Sequence, residues 1–420
     1  MPRRTLQHRF AILISWIGRE NTQTGKRYLF HAREKSQNLI RLGDQEHNYA
    51  LNSPSGWSFL ADSTNTRLND YPLVSLPRLR QNTSPPKGIK MLSRDFIDDS
   101  LYNPSYGYFS KEAVIFSPTQ AFAFKNMHNS ATFHEELRRQ YGEFEERLAE
   151  SKKDHGRQIW HTPTELFQPY YGEAIARYIL TNYKMTMFPY HDLIIFEIGG
   201  GNGTLVRNIM NFIKDNDSDI YERTRYKIVE ISASLANSQS FFHERHAGKI
   251  EIINKSIFDW DVNVPDPCFV LALEVFDNFP HDVIRYDPLS GTPFQGIVVV
   301  DEIGNYHEFF TPYIDQVALE YLKLRDLVCI LPKRHPLERS MLTRRVLQVL
   351  QFAPNLTIPE FIPTGLFRFF GVLRDYFPNH RILASDFSYL PDSIQGVNAP
   401  VVQTRYKTEM VACSTYMVRL

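Results

Sequence analysis

The sequence predicts an α/β fold in which a largely parallel sheet is covered by helices on both faces. Short apolar runs recur at regular intervals in the second half of the chain, and amphipathic stretches such as residues 205–213 separate them. Strands that are apolar throughout are typical of a parallel sheet whose two faces are buried under helices. The runs are LIIFEI (193–198), YKIVEI (226–231), KIEIIN (249–254) and CFVLAL (268–273), with GIVVVDE (296–302) extending the sheet and RILASDF (381–387) adding a further strand.

Three regions precede the sheet-forming domain, which covers residues 191–420 together with a C-terminal extension. Residues 1–43 are basic and partly apolar, residues 44–88 are rich in Asn, Ser, Pro and Arg, and residues 89–190 contain helix-like stretches. This order predicts a leader, a linker, an N-terminal helical region and then the domain that carries the sheet.

The basic N-terminus predicts import into the mitochondrial matrix. Four arginines precede the first acid, Glu20, and they are interleaved with the apolar run 10–17. That run is far shorter than the roughly 20 residues that a membrane span needs, and no small-residue cleavage site of a secretory signal is evident. Arg-rich, acid-poor and amphipathic segments are typical of mitochondrial presequences. An ordinary basic tail is the alternative.

The composition excludes several classes of function. The 47 Lys and Arg residues balance the 47 Asp and Glu residues, so the whole chain offers no bulk electrostatic attraction for nucleic acid. Its three cysteines stand alone, which excludes a disulfide framework and a cysteine-based zinc site. The two histidines of HERH (243–246) have no matching ligand cluster, so no metal site is predicted. No segment is predicted to span a membrane.

A glycine run, FEIGGGNGTL (196–205), follows the first predicted strand and opens the next helix. Glycines in this position let a ligand approach the backbone at a helix N-terminus. A dinucleotide site would have the pattern GxGxxG, but Thr204 stands at its third glycine position. The pattern is instead E-x-G-x-G-x-G, which resembles motif I of class I S-adenosylmethionine methyltransferases. It is formed by Glu197, Gly199, Gly201 and Gly203.

A second acid, Glu230, lies at the tip of the following strand, where a carboxylate can accept hydrogen bonds from both ribose hydroxyls. Each feature is weak in isolation, and a turn that binds nothing is the alternative. Together, in this order and each at the carboxyl edge of a strand, they predict a class I methyltransferase (Rossmann-like) domain. The predicted cofactor is S-adenosyl-L-methionine, with the motif I acid facing its amino-acid end.

Two acids follow the fourth strand, in LALEVFDNFP (271–280). This edge of such a sheet faces the transferable methyl group, so the methyl acceptor is expected here. Glu274 and Asp277 suit a guanidinium, whose planar N–H donors match carboxylate acceptors, and one of them could take the departing proton. Spacing alone leaves equally open that Asp277 and Asn278 cap a turn.

Polar residues also gather upstream, in WHTPTELFQPYYGEAIARY (160–178). A ligand site and a plain helix start with a capping threonine both fit this pattern, and the residues alone do not decide between them. The polar residues are Thr162, Glu165, Gln168 and Glu173.

Five collinear segments resemble the MidA family of mitochondrial methyltransferase-like proteins, which is linked to assembly of respiratory complex I. The first segment ends in the family's Pro-x-Tyr-Gly-Tyr motif, and the third matches its E-x-G-x-G-x-G-T-L. Because the matches keep their order along most of the chain, the chain is identified as a diverged member. The segments are DFIDDSLYNPSYGYFS (95–110), TPTELFQPYYGE (162–173), EIGGGNGTL (197–205), LALEVFDNFP (271–280) and NAPVVQTR (398–405).

The resemblance implies an S-adenosylmethionine-dependent protein arginine methyltransferase of type II-like specificity. Its substrate would be a mitochondrial protein such as a complex I subunit. The resemblance also implies that Glu274 and Asp277 meet the acceptor, and that two groups of residues surround the cofactor. The first group, which holds it, is Glu197, Gly199, Gly201, Gly203 and Glu230, and the second, which closes over it, is Thr162, Glu165, Gln168 and Gly172.

The chain departs from the family pattern at several positions. Leu273 stands where the family has Asn, Thr164 replaces the Pro of a Pro-Glu pair, and Phe167 replaces a Ser. The family's C-terminal I-D-Y-G motif is not apparent, and residues 386–400 stand in its place. These changes lie mainly on the acceptor side. Two alternatives therefore stay open: methylation of a non-arginine acceptor, and a non-catalytic assembly chaperone that keeps the fold.

Overall fold

The computed structural model describes residues 11–15, 70–111, 113–152, 159–239, 245–287, 290–328, 356–357, 359–387, 400, 402–406 and 409–413. The strands in this part are β1 (Ala11–Ser15), β2 (Ile89–Leu92), β3 (Val114–Ile115), β4 (Ile159–Trp160), β5 (Leu193–Ile198), β6 (Thr224–Val229), β7 (Ile250–Ile253), β8 (Cys268–Leu273), β9 (Asp282–Tyr286), β10 (Pro293–Val300), β11 (Tyr306–Thr311), β12 (Glu360–Ile362), β13 (His380–Asp386), β14 (Val402–Tyr406) and β15 (Glu409–Cys413). The α-helices are α1 (Leu76–Leu79), α2 (Ser93–Tyr102), α3 (Tyr108–Lys111), α4 (Ser130–Lys152), α5 (Pro163–Leu166), α6 (Tyr170–Thr186), α7 (Thr204–Asn216), α8 (Ser218–Glu222), α9 (Ala233–Gln239), α10 (Gln316–Val328) and α11 (Thr364–Tyr376).

The core of the fold is a six-stranded sheet with the order β1-β13-β8-β5-β6-β7. From β13 to β7 all neighbouring strands are parallel, whereas β1 at the edge runs antiparallel to β13. The chain moves outward from β5 to β6 and β7, and it returns with β8 on the other side of β5. The strand order therefore reverses between β5 and β8. In open α/β sheets, ligands bind at the carboxyl ends of the strands at such a reversal.

Helices cover both faces of this sheet, as the apolar runs predict. On one face, Ile179 of α6 and Ile209 of α7 belong to a buried cluster with Ile195 of β5. On the other face, Phe369 of α11 packs in a second cluster with Phe196 of β5. The predicted α/β fold is confirmed. No helix in the described part of the chain is long and apolar enough to cross a membrane.

A second sheet, antiparallel throughout, is built from β11, β10, β9 and β12, and β2 also pairs with β10. The prediction that GIVVVDE (296–302) extends the parallel sheet is wrong, because this run forms most of β10. Its valines are apolar for a different reason. Val298 and Val300 pack with Met91 and Phe96 in a separate buried cluster.

The region 89–190, predicted to be helical, contains helices α2 to α6 and also contributes strands. Its first element, β2, pairs antiparallel with β10 from the downstream domain, from Leu92 opposite Ile297 to Ile89 opposite Val300. The N-terminal region therefore completes a sheet whose other strands lie about 200 residues later in the chain.

The structure describes parts of the predicted linker and of the predicted leader, and both assignments stay predictions. Within the predicted linker 44–88, residues 70–88 pack onto the second sheet: Leu79 is fully buried beside Met91, and the Val74 amide donates to the Lys90 carbonyl at 2.8 Å. Apolar side chains in this Pro-rich stretch therefore find partners that composition does not reveal. Within the predicted leader, residues 11–15 form β1, and the rest of 1–43 lies outside the described residues.

Candidate active site

A cleft opens at the carboxyl ends of β5, β6, β7 and β8, where the strand order reverses. It lies at the position expected for a ligand in a sheet of this topology. Tyr102, Phe109 and Trp160 of the N-terminal region line one side, with the Phe109 ring 5.5 Å from Tyr102 and 6.4 Å from Trp160. The predicted site residues that line the cleft are Thr162, Glu165, Glu197, Gly199, Gly201, Glu230, Glu274 and Asp277.

The glycine loop after β5 requires glycine at alternate positions. Gly199, Gly201 and Gly203 have φ angles of 71°, 53° and 75°, in the left-handed region that residues other than glycine rarely adopt. Gly203 is the N-cap residue of α7, directly before Thr204. A Cβ at Gly201 would lie 3.1 Å from Cδ1 of Ile115, on the segment that covers the loop. The E-x-G-x-G-x-G pattern thus follows from the backbone conformation of this turn.

Glu230, after β6, is held at the floor of the cleft. One carboxyl oxygen accepts the Ser232 amide at 2.9 Å, and the other lies 3.4 Å from the Gln239 amide nitrogen. Burial raises the pKa of Glu230. The backbone amides of Gly201 and Ile231 also favour its ionised form, and a carboxylate at this strand end is the usual acceptor for ribose hydroxyls. Gln239 also donates to the Gly201 carbonyl at 2.7 Å and so ties this acid to the glycine loop.

We expect Glu230→Ala to weaken S-adenosylmethionine binding by roughly 1–3 kcal/mol, because ribose hydroxyls would lose their acceptor in a desolvated site. Titration calorimetry with S-adenosylmethionine measures the loss, and NADH serves as the comparison ligand. Tighter binding of NADH than of S-adenosylmethionine to the unaltered protein would instead favour the dinucleotide interpretation.

Glu197 lies at the end of β5 with 5% of its surface exposed. Its carboxylate accepts the Tyr226 hydroxyl at 2.8 Å, and burial, together with the charge of Glu230, raises its pKa to about 8. A cationic group bound beside it would favour the ionised form. The position therefore fits the charged amino-acid end of the predicted cofactor.

The segment 162–168 contacts the glycine loop, and the helix start with a capping threonine is present, whereas the ligand site stays a prediction. Thr162 caps α5 by accepting the Glu165 amide at 3.4 Å. The Glu165 carboxylate, 2% exposed as a residue, accepts the Thr204 hydroxyl at 2.7 Å and the Asn202 amide at 3.2 Å. Burial raises the pKa of Glu165. This buried acid therefore joins the upstream segment to the turn that precedes α7.

Gln168 and Gly172, predicted to close over the cofactor, lie outside the lining of the cleft. The Gln168 side chain accepts Arg207 Nη2 at 2.7 Å. Gly172 lies where α6 crosses α7, and a Cβ there would be 2.6 Å from Cβ of Asn208. The cofactor role predicted for Gly172 stays a prediction, and the contact with Asn208 gives this glycine a packing role. The glycine is needed because two helices touch there.

Gly172→Ala is expected to destabilise the fold by about 1–3 kcal/mol, the usual cost of overpacking a tight contact. S-adenosylmethionine affinity should stay unchanged under folded conditions. Urea unfolding measures the first effect and calorimetry the second. The matched control is Gly142→Ala on α4, where a Cβ meets nothing within 4 Å and helix propensity should add up to about 1 kcal/mol of stability. Loss of affinity in Gly172→Ala with unchanged stability would support its predicted cofactor role instead.

Glu274, which follows β8, has an unusual environment. Its φ angle of 57° lies in the left-handed region, and its amide donates to the Ser385 carbonyl at 2.8 Å. Both carboxyl oxygens are buried, and neither accepts a hydrogen bond from the described residues. Burial, then the charges of Asp386 and Asp277, raise the pKa of Glu274 to about 8. A buried acid without donors is costly, so this position suits a ligand that supplies them.

Asp277 belongs to the short 3₁₀ turn Phe276–Asn278 and opens to the cleft, with Asn278 Nδ2 donating to Oδ1 at 2.7 Å. Desolvation by the surrounding protein, and then the charge of the neighbouring Asp386, raise the pKa of Asp277 to about 7. Glu274 and Asp277 thus lie together at the carboxyl edge of the sheet and line the cleft, and their contact with a methyl acceptor stays a prediction.

Three features of the site were not predicted from the sequence. Asp386, at the end of β13, contacts the turn that carries Asp277, and Ser256 and Ile257 line the cleft after β7. Both groups follow apolar runs, so the rule that ligands bind at the carboxyl ends of parallel strands could have found them. The aromatic wall of Tyr102, Phe109 and Trp160 lies outside the sheet domain. These residues belong to the segments 95–110 and 160–178 singled out above, but no role in the cleft was predicted for them.

The site fits S-adenosyl-L-methionine on the evidence of its own residues. The glycine loop keeps a left-handed backbone at the carboxyl end of β5, Glu230 lines the cleft at the end of β6, and both buried oxygens of Glu274 lack a donor among the described residues. No group of His, Cys, Asp and Glu side chains suited to a metal ion occurs among the described residues.

Residues 174–417 match a protein family described as S-adenosyl-L-methionine-dependent methyltransferases. The chain belongs to this family. Membership confirms the predicted methyltransferase activity class and the predicted cofactor, and the matched residues include the glycine loop, Glu230, Glu274 and Asp277. Thr162, Glu165 and Gly172 precede the matched residues, so the family match neither supports nor contradicts the roles predicted for them.

Two curated yeast proteins are similar to the chain. A Schizosaccharomyces pombe protein named protein arginine methyltransferase NDUFAF7 homolog, mitochondrial, is 27% identical over 74% of this chain and 67% of its own length. The Saccharomyces cerevisiae protein of the same name is 21% identical over 52% of this chain, and the chain spans about half of that protein, 51%. An S-adenosyl-homocysteine-bound protein from Burkholderia thailandensis is 14% identical with a TM-score of 0.36, over 56% of this chain and 49% of that one.

Proposed function

We propose that this methyltransferase modifies the guanidinium of an arginine in a mitochondrial protein. The observation that carries the proposal is Glu274, whose two buried carboxyl oxygens have no donor among the described residues. A guanidinium offers five N–H donors in a planar fork, so it can satisfy Glu274 and reach Asp277 at once. The two yeast relatives, which are named protein arginine methyltransferases, support the same acceptor.

The chemistry divides between the cofactor and the acids of the cleft. When bound, S-adenosylmethionine supplies a methyl group on a cationic sulfur, which leaves as a neutral thioether. Glu274 and Asp277 hold the guanidinium in the orientation for in-line attack, where positioning supplies much of the rate. The nitrogen that gains the methyl carbon loses one proton, which passes to one of these carboxylates. With pKa values raised to about 8 and about 7, both acids are suited to that transfer near neutral pH.

The finer features of the proposal are a type II-like product, symmetric dimethylarginine, a complex I subunit as the substrate, and a matrix location. They are supported by the resemblance to the MidA family and by the mitochondrial names of the yeast relatives. A fusion of residues 1–40 to a fluorescent protein tests the location. Signal that overlaps a matrix marker supports it, and diffuse cytosolic signal contradicts it.

A transfer assay tests the activity. The purified protein, radiolabelled S-adenosylmethionine and an extract of mitochondria from cells lacking the protein should yield one labelled band, whose hydrolysate contains symmetric dimethylarginine. Label on another amino acid would identify a non-arginine acceptor. Cofactor binding without any transfer, together with normal complex I assembly in cells that carry the Glu274 and Asp277 variants, would favour the chaperone.

A further inference from the structure

The turn that carries the acceptor acids is held mainly from outside its own strand. Asp386 Oδ2, at the end of β13, accepts the amides of Phe276 at 2.8 Å and Asp277 at 3.1 Å, and Oδ1 accepts the Phe387 amide at 2.8 Å. One residue earlier, the Ser385 carbonyl accepts the Glu274 amide. The end of β13 therefore fixes the backbone at three positions in a turn that begins the loop after β8.

This anchoring bears directly on the conformation of Glu274. A left-handed φ is sparsely populated by residues other than glycine, and it persists only when the surrounding structure holds it. Phe276 gives the turn an apolar anchor as well, with its ring 5.5 Å from that of Phe369. The packing of Phe276 fixes one side chain, whereas Asp386 fixes the direction of two successive amides and hence of the Asp277 side chain.

We propose that Asp386 is a positioning residue for methyl transfer, which holds the turn so that Glu274 and Asp277 address the same acceptor. This inference rests on the proposed function. Asp386 does not itself line the cleft, and both of its oxygens are engaged by backbone amides. It therefore acts through the two acids rather than on the acceptor.

The charge of Asp386 gives a second, separable effect. Burial is the largest cause of the raised pKa values of Glu274 and Asp277, and the charge of Asp386 is the second largest. Replacing Asp386 by a neutral residue should therefore lower both pKa values. The other titratable groups that face these acids are the Tyr171 hydroxyl beside Glu274 and the Tyr102 hydroxyl near Asp277. An asparagine at position 386 keeps one oxygen, which can still accept the Phe276 and Asp277 amides, whereas its NH2 group cannot accept the Phe387 amide. Asp386→Asn therefore removes the charge and keeps the two hydrogen bonds to the turn, and Asp386→Ala removes both.

The test compares these two variants of the full-length chain with Asp301→Ala. Asp301 Oδ1 holds the β10–β11 turn by accepting the amides of Ile303, Gly304 and Asn305 at 2.7–2.9 Å, so it is matched in role but lies outside the cleft. Hydrogen exchange is read on peptides covering 273–279 and 302–306. Methyl transfer to mitochondrial extract is measured as a function of pH, and S-adenosyl-homocysteine affinity is measured by calorimetry.

In Asp386→Ala, exchange at 273–279 should accelerate at least about tenfold, transfer should fall at least about tenfold, and S-adenosyl-homocysteine affinity should change less than about twofold. Asp386→Asn should keep most of the protection from hydrogen exchange at 273–279. It should also shift the acid limb of the pH profile, in which methyl transfer rises with pH, to lower pH. Asp301→Ala should accelerate exchange only at 302–306 and keep full transfer. Unchanged exchange at 273–279 in Asp386→Ala, or an unmoved acid limb in Asp386→Asn, would overturn the proposal. If the unaltered protein transfers no methyl group, the exchange result still decides whether Asp386 holds the turn, and the proposed function alone fails.

Discussion

Replacing Gly201 by valine is expected to reduce S-adenosylmethionine affinity by at least about 100-fold, equivalent to about 3 kcal/mol. Two causes act together. The φ of 53° is strained for a β-branched residue, and even a Cβ would lie 3.1 Å from Ile115 Cδ1. The loop must therefore shift, and the backbone that a ligand would approach shifts with it. Titration calorimetry of the folded variant measures the loss.

Gly248→Val is the control that separates cofactor binding from general strain. Gly248 has a similar φ of 73°, lies in the turn before β7, and has nothing within 4 Å of its Cβ position. Both variants should lose folding stability through the unfavourable φ, and urea unfolding measures that loss. Only Gly201→Val should lose the cofactor. Equal affinity in the two variants would show that the glycine loop is a turn without a ligand.

The central strands could be predicted from the sequence because each one carries its own signal. β8 is apolar along its whole length, and β5 is apolar except for Glu197. β6 and β7 are shorter apolar runs interrupted by charged residues, and such runs are typical of parallel strands covered on both faces. The same pattern misled at residues 296–302, since an apolar run reports burial but not the direction or identity of its neighbours. The pairing of β2 with β10 had no local signal, because about 200 residues separate the partners.

The same distinction applies to the site. Glu197, the glycines and Glu230 lie within two successive strand–turn units, so their spacing in the sequence fixes their relation in space. Asp386 reaches Asp277 only because β13 pairs with β8, and that contact joins residues 109 apart. Gly172 was placed at the cofactor by resemblance alone. Its contact with Asn208 depends on how two helices cross, which no motif encodes.

The amides Glu274→Gln and Asp277→Asn are each expected to lower methyl transfer about 100-fold or more, while S-adenosylmethionine affinity stays within about twofold. An amide keeps the shape but removes the charge and presents a donor toward the guanidinium, so an interaction with the reacting group is lost. The contacts of Glu230 and the glycine loop remain untouched. The control is Glu302→Gln, an exposed acid outside the cleft, which should retain full transfer.

The pH dependence makes the role of Glu274 testable independently of the acceptor's identity. Its pKa in the folded protein is about 8, above the ordinary value of 4.5, so the folded state binds more protons than the unfolded state between those values. The stability that this proton contributes is present in full below about pH 4.5 and is lost as pH rises through about 8. Glu274→Gln should therefore flatten the decline of stability with pH in that window.

Transfer by the unaltered protein should rise over the same range, since the ionised carboxylate binds the guanidinium. Glu274→Gln should remove the part of that rise that belongs to Glu274. Measured together, cofactor affinity, transfer and stability against pH distinguish an enzyme from a chaperone with a methyltransferase fold. A chaperone would show the stability effect, because burial of Glu274 alone produces it, but there would be no transfer for either amide to abolish. If complex I assembly survives both substitutions in cells, assembly does not require the methyl transfer that depends on Glu274 and Asp277.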